Sequence, residues 1–118
     1  MNHLAIGALL PWLLAVGWWL SRKALVSPWF FVIFPLLMTA GAIWAVVPDI
    51  PRLLGNSELY FTMHRDPQSN IYLWHYTIDL LQYDVLLLSI PFWTPVLAAM
   101  VASMPIMALL TLRRRETS

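Results

Sequence analysis

Ile71-Tyr72-Leu73-Trp74-His75-Tyr76-Thr77-Ile78-Asp79-Leu80-Leu81-Gln82-Tyr83-Asp84-Val85-Leu86-Leu87-Leu88-Ser89-Ile90 is the stretch on which the reading of this chain turns. At about 1.5 Å per residue, a helix of this length covers a hydrocarbon core of about 30 Å. It nevertheless carries His75, Asp79, Gln82 and Asp84. His75, Asp79 and Gln82 are spaced i, i+4, i+7, and Tyr72 extends the row backwards, which is one stripe of a helix. The opposite face is Leu and Val. This pattern predicts a membrane helix that turns its polar stripe toward other helices and shows leucine to lipid.

Just upstream, Arg52 to Asn70 is the only long polar connection, with turn signals at Gly55-Asn56-Ser57 and Asp66-Pro67. Tyr60, Phe61 and Met63 give it an apolar strip suited to lying against headgroups. Further outward, Trp29 to Val47 is apolar. Pro28 suits its start, Pro35 predicts a kink, and Pro48-Asp49-Ile50-Pro51 ends it with a carboxylate at the membrane boundary. Leu4 to Leu20 holds Trp12, Trp18 and Trp19, contains Pro11 and exits through Ser21-Arg22-Lys23. A basic exit without a small-residue cleavage site reads as a retained helix rather than a signal peptide. On the other side, Pro91-Phe92-Trp93-Thr94-Pro95 is a tight turn. Val96 to Leu112 then forms a last span, offering Ala98, Ala99, Ala102 and Ser103 for close packing and closing at Arg113-Arg114-Arg115.

The expected fold is therefore all-α: a polytopic four-helix transmembrane bundle forming one domain over residues 1–118. Its helices lie at about 4–20, 29–47, 71–90 and 96–112, with a polar loop at 48–70 between the second and third. Composition agrees. The chain is 60% hydrophobic and 11% charged over 118 residues, against about 25% charged for soluble domains. A net charge of +1 and one basic cluster beside an apolar run give no nucleic-acid surface. With no cysteine, disulfides, thiolate metal sites and thiol nucleophiles are excluded. No Gly-x-Ser-x-Gly elbow and no phosphate-binding glycine loop occur.

Four spans would put the N-terminus, the central loop and the C-terminus on one face, with Arg52, Arg65 and Arg113 to Arg115. The positive-inside rule then makes that face, and both termini, cytoplasmic. If residues 71–90 are instead re-entrant, Arg22, Lys23 and the three C-terminal arginines share a face and the central loop lies outside.

Polar chemistry is concentrated between Pro48 and Asp84, which holds every histidine but His3 and every acid but Glu116. On the four-span reading His3, Asp49, His64, His75 and Asp79 converge on one membrane boundary. Imidazoles and carboxylates are the ligands of zinc and related divalent metals where cysteine is absent. His75 and Asp79, four apart on a helix, present two ligands to one point, and His64 and Asp49 would complete a site with an open position for water. Arg65 suits a pair of phosphate oxygens. The plainer alternative is that His75 and Asp79 bond to each other, or to Tyr72 and Gln82, and lock the bundle. Asp84, near mid-membrane, either belongs to a proton or ion path with His75 and Asp79 or is a satisfied acid facing the bundle.

At Asp49 and His64 the chain resembles the bacterial membrane-bound metal-dependent hydrolases. The resemblance rests on Val47-Pro48-Asp49-Ile50 after an apolar helix, an early His3 and a later His64-Arg65. That family has a Pro-Asp-Ile/Leu-Asp run at a helix end, then a His-Arg pair followed closely by a second histidine. The likeness covers residue 3 and residues 47–79. Pro51 stands where the family has its second aspartate, and His75 follows His64 by eleven residues rather than about five. The resemblance implies a multi-helix inner-membrane protein with a divalent metal and hydrolytic activity on a lipid-like substrate. It implies Asp49, His64 and Arg65 as catalytic residues, with His3 and His75 joining the metal set. The competing expectation is a non-enzymatic accessory subunit that meets other membrane subunits and whose histidines contact a pigment or haem.

Overall fold

A computed structural model of the chain describes residues 2–22, 26–81 and 93–117. Among these the secondary structure is entirely helical: α1 (Asn2–Arg22), α2 (Phe30–Ala45), a 3-10 turn at Val47–Asp49, α3 (Ile50–Leu53), α4 (Ser57–Arg65), a second 3-10 turn at Pro67–Ile71, α5 (His75–Leu81) and α6 (Trp93–Glu116). Two stretches, His3–Arg22 and Trp93–Glu116, are long and apolar enough to cross a membrane. Phe30–Ala45 with Val47–Leu53 passes the same test as a pair bent by 48°. The count is thus two or three spans, and a four-span bundle does not follow from the described residues. α1, α2 and α6 run unbroken through Pro11, Pro35 and Pro105.

The expected polar loop at 48–70 is wrong as a loop. It is a run of short helices, each with a local cause. Gly55 turns the chain at a φ of 76°. The Asn56 carbonyl oxygen Oδ1 then accepts from the Leu59 amide at 3.0 Å and caps α4. Glu58 sits in the first turn of α4 and Arg65 in the last, the charge order a helix dipole favours. Asp66 repeats the device, accepting from the Gln68 amide at 2.8 Å at the start of the second 3-10 turn.

The expected helix at 71–90 also needs correction at its start. Leu73 and Trp74 have φ of 54° and 60°, a left-handed conformation that costs non-glycine residues roughly 1–2 kcal/mol each. They break the chain, so α5 begins at His75. Tyr72 therefore lies outside the helix and packs its ring 5.2 Å from that of Trp44 rather than extending the polar stripe. Asn70 holds the turn, its carbonyl accepting from the Trp74 amide and its side chain from the Thr77 amide, both at 2.9 Å. The remainder of the expected helix, including Gln82 and Asp84, lies outside the described residues, as do Pro91 and Phe92.

α1 and α2 meet through small residues. A Cβ on Gly7 would lie 2.3 Å from the Gly41 carbonyl oxygen, and one on Gly41 would lie 2.3 Å from that of Gly7. Ala5, Ala8 and Ala15 are buried along the same helix. Close backbone approach at small residues is how helices pack where lipid offers no hydrophobic drive. It fixes the pair one turn below the polar rim, since His3 precedes Gly7 by four residues and Ala45 follows Gly41 by four.

α6 does not pack through its alanines. Met100, Met104, Met107 and Thr111 are its buried residues, and Ala98, Ala99 and Ala102 are exposed. Two tryptophans of α1 set its register: Trp12 Nε1 donates to Ser103 Oγ at 2.8 Å and Trp19 Nε1 donates to Thr111 Oγ1 at 2.9 Å. Both residue numbers rise together, so α1 and α6 run parallel. Arg115 accordingly donates to the Val26 carbonyl, and Arg114 lies over the Trp19 ring. The start of α1 and the end of α6 are at opposite ends of the bundle, whereas the four-span reading placed them on one face. A Thr111→Val variant leaves the buried Trp19 N–H without an acceptor and should lower stability by about 1–3 kcal/mol, read as a drop in unfolding temperature in mild detergent. An unchanged temperature would contradict this register.

Candidate metal centre

His75 opens α5 directly after the strained turn and is fully buried. Its Nδ1 faces the Ala45 carbonyl at 2.9 Å, one of the carbonyls that the end of α2 leaves without a helical partner. His64, in the last turn of α4, places its own Nδ1 2.9 Å from the Tyr60 carbonyl. Carbonyl oxygens only accept. Each ring must therefore carry a proton on Nδ1, and in the neutral ring each Nε2 is left with its lone pair.

Those two lone-pair nitrogens point at each other, with Nε2 to Nε2 only 3.1 Å. Two carboxylates join them. Asp79 Oδ2 is 3.5 Å from His64 Nε2 and 3.4 Å from His75 Nε2. Asp49 Oδ1 is 3.1 Å from His64 Nε2 and 4.0 Å from His75 Nε2. Four electron-rich atoms thus converge, and with nothing between them they repel. A positive charge among them removes the repulsion. The triangle His64 Nε2, His75 Nε2, Asp79 Oδ2 has sides of 3.1, 3.4 and 3.5 Å. One face of a tetrahedron with bonds of about 2.0–2.1 Å has sides of about 3.3–3.4 Å. The donor set and its spacing therefore fit a divalent ion, with the backbone carbonyls holding the imidazoles as the outer partners of metal-bound histidines do.

His3 completes the group from α1. Its Nε2 lies 2.9 Å from Asp79 Oδ1, and its ring stacks on His75 with centroids 4.0 Å apart and planes 20° apart. Asp79 is thereby divided, with Oδ1 turned to His3 and Oδ2 to the other two rings. His3 Nδ1 is buried, with no hydrogen-bond partner among the described residues. Two overlapping trios are close enough to share an ion: His3, Asp49 and His75, and His64, His75 and Asp79.

All five residues expected to bind metal, His3, Asp49, His64, His75 and Asp79, are thus at one place, although the third helix begins four residues late. Arg65 is elsewhere. It is exposed, its guanidinium 5.9 Å from the Phe61 ring centroid, and among the described residues no ion pair links it to the cluster. The pieces that sequence reasoning missed are the carbonyls of Ala45 and Tyr60 and the Asn70 cap. The carbonyls carry no side-chain signal, and Asn70 read as an ordinary loop residue.

Exposure rises across the site, from 0% for the His75 side chain to 37% for Asp49, so the cluster opens on the Asp49 side. A groove of about 480 Å³ runs between α3 and α4, lined by Val47, Ile50, Pro51, Leu54, Asn56, Leu59 and Met63. Two of its walls, Ile50 and Met63, are the chain neighbours of Asp49 and His64, while none of the five cluster residues lines it. Comparison with protein-family models, curated proteins and solved structures finds no match.

Proposed function

We propose that this chain is an integral membrane, metal-dependent hydrolase that works at headgroup level on a lipid-like ester, with His64, His75, Asp79 and Asp49 as the metal-holding residues. The observation that carries the reading is the pair of imidazoles whose Nδ1 atoms are tied to backbone carbonyls, so that two Nε2 lone pairs face two carboxylates. A structural His-Asp pair would share a proton across one contact. Here a second imidazole adds its Nε2 at 3.1 Å, so two rings and two carboxylates meet where such a pair needs one of each.

A divalent ion in this set would supply Lewis acidity and a more acidic water. The chain's own residues do the rest. His75 is held rigid by Ala45 and by stacking against His3. His3 orients the Asp79 carboxylate through Oδ1. Asp49, the most exposed of the four, borders the side from which substrate arrives. The groove between α3 and α4 suits an acyl chain whose ester lies at the cluster. Apart from Asn56 its walls are apolar, and the exposed Leu53, Leu54 and Phe61 on the same short helices support a position at the lipid boundary. The resemblance at Val47 to Ile50 and at His64-Arg65 supports the same reading, with the bacterial inner membrane as its setting. Nitrogen and carboxylate donors this close together suit a single hard or borderline ion better than a haem or pigment.

Metal titration tests the reading. Protein purified in detergent and stripped with a chelator is expected to take up about one equivalent of zinc and to gain thermal stability as it does so. Uptake should weaken on acidification, because protons compete for the imidazole nitrogens. A stripped protein that binds no zinc, manganese or cobalt and melts at the same temperature with or without them would sink the proposal.

A further inference from the structure

The parallel course of α1 and α6 sorts the charges. At the end away from the cluster lie Arg22, Arg113, Arg114 and Arg115, against Glu116 alone among the described acids. At the cluster end lie Arg52 and Arg65, against Asp49, Glu58, Asp66 and Asp79. The four far arginines form a collar with tryptophan beneath it. Arg22 lies over Trp18 at 5.5 Å and Arg114 over Trp19 at 5.2 Å. Trp29, 70% exposed, stands beside Arg22 and Trp18 around one cavity. Tryptophan at the headgroup level and arginine just beyond it mark a helix end at an interface. All four arginines are exposed on the described surface.

We propose that this collar docks on the anionic headgroups of the cytoplasmic leaflet, and that the ligand cluster consequently faces the extracytoplasmic leaflet and meets its lipid there. The surface charge complements the collar: basic residues beside spans are retained on the cytoplasmic side and attracted to its anionic lipid. Acids contribute little to orientation, so the four arginines of the collar against the two of the cluster end decide it. Nothing in the docking of the collar depends on catalysis. Only the second half of the proposal, that the site meets lipid from the outer-facing side, rests on the metal-hydrolase reading.

The chain has no cysteine, so single cysteines report on orientation without background. Ser57→Cys marks the cluster end, at the exposed start of α4, and Thr117→Cys marks the collar end. Neither residue belongs to the ligand cluster. With the full chain in the inner membrane of bacterial cells, a membrane-impermeant maleimide is expected to label Ser57→Cys from outside. It should label Thr117→Cys only after permeabilisation. The reverse pattern overturns the orientation, and equal labelling of both from one side overturns the parallel arrangement beneath it. In the Ser57→Cys background, changing Arg22, Arg113, Arg114 and Arg115 together to Gln should abolish the sidedness, while changing all four to Lys should keep it. Sidedness that survives the Gln set would show that the collar does not dock the chain. Zinc uptake by the purified protein is a separate measurement, so failure of the orientation and failure of the metal reading are distinguishable.

Discussion

A His75→Ala variant is expected to lose zinc affinity by at least about 100-fold, since disturbing even the outer partners of a metal ligand costs about 10–100-fold. The ring is the centre of the cluster. It belongs to both trios that can share an ion, it stacks on His3, and its Nε2 lies within 4.0 Å of His64, Asp79 and Asp49. It is also wholly buried. Its removal leaves a cavity and an unpaired Ala45 carbonyl, together about 2–4 kcal/mol of stability. Zinc affinity and unfolding temperature should therefore fall together. Arg65→Gln is the contrast, because its exposed guanidinium lies over Phe61 away from the cluster. It should leave zinc binding unchanged. Equal zinc affinity in wild type and His75→Ala would remove the centre from this account.

The second large effect is expected far from any ligand. In Gly41→Val the added Cβ would sit 2.3 Å from the Gly7 carbonyl oxygen and 3.2 Å from its carbon. Backbone on one side and backbone on the other leave no flexible side chain to yield, so α1 and α2 must separate. Overpacking of this kind costs about 1–3 kcal/mol, and more where backbone must move. One turn above this contact, α1 carries His3 and α2 presents the Ala45 carbonyl. Separation of the helices should therefore weaken zinc binding although no donor has changed. Gly17→Ala is the control, since nothing lies within 4 Å of its Cβ position. There the change should be neutral or stabilising by about 0.5–1 kcal/mol. A Gly41→Val protein as stable as wild type would show that the α1–α2 crossing is looser than described.

What the sequence disclosed and what it hid have physical causes. The convergence of His3, Asp49, His64, His75 and Asp79 was legible because scarce ionisable groups in an apolar chain can be satisfied only by meeting one another. The i, i+4 spacing of His75 and Asp79 survived the late start of α5, since both residues lie after the break. The break itself was illegible. Leu73 and Trp74 are poor candidates for a left-handed turn; the bonds to Asn70, and Trp44 packing on Tyr72 and donating to the Ile71 carbonyl, hold the conformation. The helices inside the supposed polar loop were announced by Asn56 and Asp66 as caps, but the turn signals beside them read as loop. The packing face of α6 was hidden because methionine lacks the small-residue signature sought there. Pro48 and Pro51 were read as the stop of a helix reaching Val47, whereas α2 ends at Ala45 and the chain continues through a bend of 48° into α3, which holds Pro51 in its first turn.

The central claim is that two histidine nitrogens and neighbouring carboxylates form one metal-binding point at the rim of this bundle. X-ray absorption at the zinc edge, on protein loaded with one equivalent, examines that point directly. The account predicts a first shell of nitrogen and oxygen at about 2.0–2.1 Å with outer-shell scattering from two or more imidazoles, reduced by one ring in His64→Ala. A shell of oxygen alone, without imidazole scattering, would contradict it.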